Sequence, residues 1–112
     1  MKRFMMLAAA FAIASAPAFA ADKKIERLWK AKCGSCHGSD GKGDTEKGKK
    51  MKLGDLTSAE WQKKTTDADI TKLINEGMKS DKDGVKKEMD AYKDFTPEQM
   101  DGLVKLMREF KK

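Results

Sequence analysis

Cysteine, histidine, proline and tyrosine are scarce in this 112-residue chain, which has two cysteines, one histidine, two prolines and one tyrosine. Each shortage excludes something. With Cys33 and Cys36 as the only thiols, the disulfide frameworks that hold small exported domains together are out of reach. A Cys33–Cys36 bridge would close a tiny loop, where the loop-entropy model gives least stabilisation. A structural zinc site needs four ligands, and the two cysteines with His37 leave one place to a carboxylate. No β-branched run alternates with polar residues, so no strand is expected. The strand–helix setting of a thioredoxin-like cysteine pair is missing for the same reason. Long apolar runs are absent too. The longest, Phe4 to Ala16, falls short of the roughly 20 residues that span a bilayer.

That run has the plan of a secretory leader. Lys2 and Arg3 precede it, Pro17 breaks it, and Ala18-Phe19-Ala20 is the small-x-small pattern a signal peptidase reads. Residues 1–20 therefore read as a cleaved signal peptide, the alternative being a retained anchor, and residues 21–112 as one domain. After cleavage no stable membrane insertion is expected. Losing Lys2 and Arg3 lowers the formal net charge from +6 to +4. This modest charge and the export signal argue against nucleic acid as a partner. Only about 30% of residues 21–112 are apolar, a thin core for so small a domain. Either the chain is partly disordered or something other than side chains fills its centre.

Cys33-Gly34-Ser35-Cys36-His37 points to the second option. Cys-x-x-Cys-His is the attachment motif of c-type haem. Two thiols three residues apart can lie on one side of a helical turn, each adding to one vinyl group of the porphyrin. His37 follows where an imidazole nitrogen can meet the iron, and small Gly34 and Ser35 allow the macrocycle edge close to the backbone. One covalent haem would supply the missing burial, so the haem-free chain should be largely unfolded.

Around the motif the pattern is all-α. Asp22 can cap a helix with Ile25, Leu28 and Trp29 on one face. A glycine-rich loop follows from Gly38 and runs past Lys50 towards Leu56. Thr57-Ser58-Ala59-Glu60 reads as a capping box before Trp61. Thr66 to Asp69 opens a helix with Ile70, Leu73 and Ile74 as its buried stripe, and Gly77 can end it in a left-handed conformation. A second loop spans Met78 to Phe95. Thr96-Pro97-Glu98-Gln99 then starts a closing helix lined by Met100, Leu103, Val104, Met107 and Phe110.

With no second histidine, a methionine thioether is the expected second ligand of the iron. Met100 and Met107 fall on the stripe of the closing helix and read as core filler, and Met51 as packing at the haem edge. Met78 and Met89 both lie in the second loop. Met89, with Ala91 and Tyr92 after it, is preferred, and Met78 is its rival.

These residues resemble the monohaem class I cytochromes c, especially the short bacterial periplasmic kind. The resemblance covers nearly all of residues 21–112. It takes in the helix entering Cys33 to Gly38, the run Asp40-Gly41-Lys42-Gly43, Leu56, the helix from Ile70 to Gly77, Met89 to Tyr92, and Thr96 to Arg108. It implies three to four helices wrapped around one haem, first and last helices crossing, and His37 with Met89 on iron. Two departures stand out. Asp90 follows Met89 where the family often has proline, and Gly54 stands where a proline often precedes the position of Leu56.

Histidine–methionine ligation closes the iron and raises its potential relative to two histidines. The chain is therefore expected to be a periplasmic, monomeric single-electron carrier between redox proteins, and not an enzyme. The rival is an open-site haem protein, a gas sensor or peroxidase-like, which needs Met89 off the iron. Lys42, Lys47, Lys49, Lys50, Lys52, Lys86 and Lys87 either form a rim that steers acidic donors and acceptors or simply keep the surface solvated.

Overall fold

The structure is a computed structural model that describes residues 22–110, and the leader read at residues 1–20 lies outside them. Helix α1 (Lys23–Lys32) starts where the Asp22 carboxylate accepts from the Lys24 N–H. Ile25, Trp29 and Cys33, spaced by four, form its buried edge. A single turn, α2 (Gly34–His37), follows at once. Next come α3 (Glu46–Lys50), α4 (Ala59–Lys64) and α5 (Asp67–Glu76), then strands β1 (Met78–Ser80) and β2 (Lys87–Met89), and finally α6 (Pro97–Glu109).

The start signals in the sequence have the expected chemistry, with one shift. Thr66 and Thr96 each accept from the N–H three residues on, while Asp69 and Gln99 accept the cap residue's own N–H, giving two complete capping boxes. Ahead of α4, however, the cap is Ser58, which accepts from the Trp61 N–H, and not Thr57. Thr57 is buried instead and donates its hydroxyl to Asp55 at 2.6 Å.

The core lies where α6 packs against α1 and α5. Leu103 (0% exposed) and Ile70 (1%) are its most enclosed side chains. At the α1–α6 crossing Gly102 sits beneath Ile25, and a Cβ there would come 2.7 Å from Ile25 Cδ1. A glycine inside a helix costs about 0.5–1 kcal/mol relative to alanine. Here it lets the Ile25 side chain lie directly against the α6 backbone.

Six helices are present among the described residues where three to four are expected, because α2 and α3 are single turns. α3 occupies what reads as loop. It has no apolar periodicity; Thr45 caps it by accepting from the Gly48 N–H at 2.9 Å, and Gly48 is buried against the backbone of Cys36 and Gly43. The expectation of no strand is also corrected. β1 and β2 pair antiparallel, Met78 opposite Met89, across a tight turn at Lys82–Gly84. Three residues per strand are too few to display an alternation.

Candidate functional site

Cys33, Cys36 and His37 are brought together by one turn of helix. The His37 N–H donates to the Cys33 carbonyl at 2.9 Å, so the pentapeptide closes on itself. Its exit is fixed from two sides. Trp29 Nε1 donates to the Gly38 carbonyl at 2.8 Å, and the Thr45 hydroxyl donates to the Cys36 carbonyl at 2.8 Å. The Trp29 ring lies 5.8 Å from the imidazole. No disulfide joins Cys33 to Cys36.

The electrostatics argue against a redox-active thiol pair. Burial, and secondarily the neighbouring Cys36, push the Cys33 thiol up to about 11. A reactive redox cysteine shows the opposite shift. Burial also lowers the pKa of His37, so its ring is neutral at pH 7 and has a lone pair to donate. Nδ1 of His37 is buried without a hydrogen-bond partner.

On the other side stands the hairpin. Met89 packs on the core, and two residues of the following segment hold it there. The Tyr92 N–H donates to the Ile74 carbonyl at 2.8 Å, and the Tyr92 hydroxyl donates to the Lys32 carbonyl at 3.1 Å, next to Cys33. Phe95 stacks on the Tyr92 ring at 5.2 Å. Gly77 joins α5 to β1 with φ 70° and ψ −171°, a region essentially reserved for glycine. Its φ is positive as the sequence predicts, but the ψ is extended, because the chain runs straight into β1 and does not fold back over the helix.

Between the motif and the hairpin lies a cavity of about 450 Å³ bordered by Cys33, Cys36, His37, Met51, Met78 and Met89. That volume is in the range of cofactor pockets, ~300–1,000 Å³. A second, nearly apolar space of about 80 Å³ shares Cys33, His37, Leu73 and Met89 and reaches Trp61, Leu103 and Met107. Leu73, read from the sequence as part of a buried stripe, is 39% exposed, and Met78 is 37% exposed. Both border the larger cavity. Their apolar surface faces the space that a flat, apolar macrocycle would cover. A neutral imidazole with thioethers opposite matches the donors that haem iron takes, and two thiols on one turn match the two vinyl groups of a porphyrin. The residues present therefore fit a haem.

Of the lysines singled out by the sequence, Lys47 and Lys87 border the cavity mouth, joined there by Lys32. Lys49 pairs instead with Asp44 at 3.3 Å. Arg108 escapes sequence reading altogether. Its guanidinium donates to the Gln62 and Thr65 carbonyls at 3.0 and 2.6 Å, pairs with Asp67 at 2.8 Å and lies 5.8 Å from the Trp61 ring centroid. One side chain thus ties α6 to α4 and α5 behind the apolar end of the site. Only its place in the last turn of α6, where cations are common, hints at a role.

A small helical domain with both thiols, the imidazole and the thioethers around one cavity is a c-type haem protein. The comparisons specify it further: the cytochrome c family model matches residues 23–111, and the chain belongs to that family. A solved structure, the KustC0563 c-type cytochrome, is 36% identical with a TM-score of 0.63, the match covering 78% of this chain and 96% of that one. A tyrosine-to-phenylalanine mutant of Kustc0563 is 34% identical with a TM-score of 0.61, covering 78% and 98%. No curated protein matches the chain. Membership brings one covalently bound haem c, electron carriage as the function and redox proteins as the partners.

Proposed function

We propose that Cys33 and Cys36 hold the haem by thioethers, that His37 and Met89 are its axial donors, and that the protein is an exported, periplasmic single-electron carrier acting as a monomer. The observation that carries this reading is the shared border of one cavity of about 450 Å³ by both thiols, a neutral imidazole and the Met89 thioether, with a nearly apolar space beside it that Cys33, His37 and Met89 also line. Bound there, the haem supplies a one-electron iron couple. Cys33 and Cys36 would hold it through thioethers to its two vinyl groups, sulfur added to one carbon of each and the proton to the other. His37 would donate a lone pair from a ring that the single turn of α2 holds in place. Met89 donates a soft thioether, which favours the reduced metal. Of the two candidate methionines, Met89 is favoured because it borders the inner apolar space as well as the cavity, whereas Met78 borders the cavity alone.

With His37 and Met89 both donating to the iron, no coordination site would be left for a substrate, which is why the reading is a carrier and not an enzyme. Among the described residues no helix is long and apolar enough to cross a membrane. Lys32, Lys47 and Lys87 outnumber Glu88 and Asp90 around the cavity, and this net positive border favours partners with an acidic face, in complexes that are small and salt-sensitive. The test is proton NMR of the reduced holoprotein with its methionine methyls labelled. A ligand methyl shifted strongly upfield, unmoved by Met78→Leu and moved or lost in Met89→Leu, supports the assignment. Loss of that signal in Met78→Leu overturns it.

A further inference from the structure

Met78 stands directly opposite Met89 in the β1–β2 pair. Residues facing each other across an antiparallel pair point to the same side of the sheet, with Cβ atoms ~4.5–5.5 Å apart. Both thioethers accordingly border the same cavity as His37, and Met78, at 37%, is one of the two large hydrophobics left exposed among the described residues. Methionine is unbranched with three rotatable bonds, so a side chain one strand away can sweep a distance comparable to that separation. The hairpin itself is slight, three residues in each strand and closed by a turn with Asp83 at φ 53° and Gly84 at φ 73°. What holds Met89 in place comes after it, in the hydrogen bonds of Tyr92 to Ile74 and Lys32, and these do not restrain Met78.

We propose that Met78 is a reserve ligand: when Met89 leaves the iron, the Met78 thioether takes its position, so the site exchanges one sulfur for another and does not open to solvent. The proposal rests on the reading of Met89 as the resident ligand. Its consequence is a haem protein that resists conversion into a gas-binding or peroxide-reacting form, even though Asp90 stands after the resident methionine and leaves that segment without a stiffening proline.

The experiment compares the holoproteins of the wild type, Met78→Leu, Met89→Leu and the double variant. Three readouts are taken: the weak sulfur-to-iron absorption band of the oxidised form, carbon monoxide binding by the reduced form, and the sites of sulfoxide formation under mild peroxide treatment, mapped by mass spectrometry. A thioether bound to metal is shielded from that oxidation. The expected result is a band in the wild type and both single variants, shifted in Met89→Leu, and no band with rapid carbon monoxide binding in the double variant. Met78 should be oxidised readily in the wild type and become protected at least several-fold in Met89→Leu. If Met89→Leu loses the band and binds carbon monoxide as the double variant does, the reserve role is wrong and Met89 remains the resident ligand. If Met78→Leu loses the band, the resident assignment is wrong, and the reserve role falls with it.

Discussion

At the scale of single residues, the position of Met89 depends on what stands at 77. A Cβ at Gly77 would meet the Met89 carbonyl oxygen at 2.5 Å and Ala91 N at 2.8 Å, and the φ and ψ there are essentially glycine-only. Gly77→Ala is therefore expected to destabilise the holoprotein by about 1–3 kcal/mol in denaturant unfolding. It should also displace the ligand methyl in NMR, whereas Gly84→Ala, with open space around its Cβ, should leave that methyl where it is. The juxtaposition of Cys33, Cys36 and His37 was legible because it is local: the three lie within one turn, and spacing in the chain is spacing in space. The different settings of Met89 and Met78 were not legible. What separates them is the packing of Met89 on the core and the tie from Tyr92 to Lys32, contacts between segments far apart in sequence.

Among the elements, the helices that could be read are those with amphipathic stripes or side-chain caps, and the ones that could not are held by other means. α3 depends on the close approach of Gly48 to backbone, and the hairpin on a pairing that no three-residue strand announces. The caps carry measurable weight. Thr96→Ala removes the acceptor for the Gln99 N–H and is expected to cost about 0.5–2 kcal/mol, read from the denaturation midpoint at constant slope. The second capping box adds a pH dependence. Asp69 accepts the Thr66 N–H, and that hydrogen bond holds its carboxyl below the usual carboxylate range. A depressed folded pKa means stability that is present above the unfolded value, ~3.9, and lost as pH falls through the lower folded value. Asp69→Asn should flatten that part of the acid-unfolding curve, and an unchanged acid limb would contradict the assignment. Arg108→Lys keeps the charge but loses the fork that reaches Gln62, Thr65 and Asp67 together, and should cost roughly 1.5–3 kcal/mol.

Over the whole molecule, the thin core and the cavity are two aspects of one fact. Ten buried hydrophobic side chains form the described core, while Leu73 and Met78 face the space between motif and hairpin. A domain of this size with so little apolar surface of its own depends on its cofactor for burial. The Cys33→Ala, Cys36→Ala double variant, isolated without haem, is accordingly expected to show weak helical circular dichroism and no cooperative thermal transition. A cooperative transition like that of the holoprotein would contradict this. The central claim is a haem held by Cys33 and Cys36 whose iron is closed by protein on both sides. The most direct measurement is the absorption spectrum of the oxidised wild-type holoprotein at neutral pH. Histidine–methionine ligation should give a low-spin spectrum carrying the weak long-wavelength sulfur-to-iron band. A high-spin spectrum without that band would contradict it, and would mark the protein as an open-site haem protein and not a carrier.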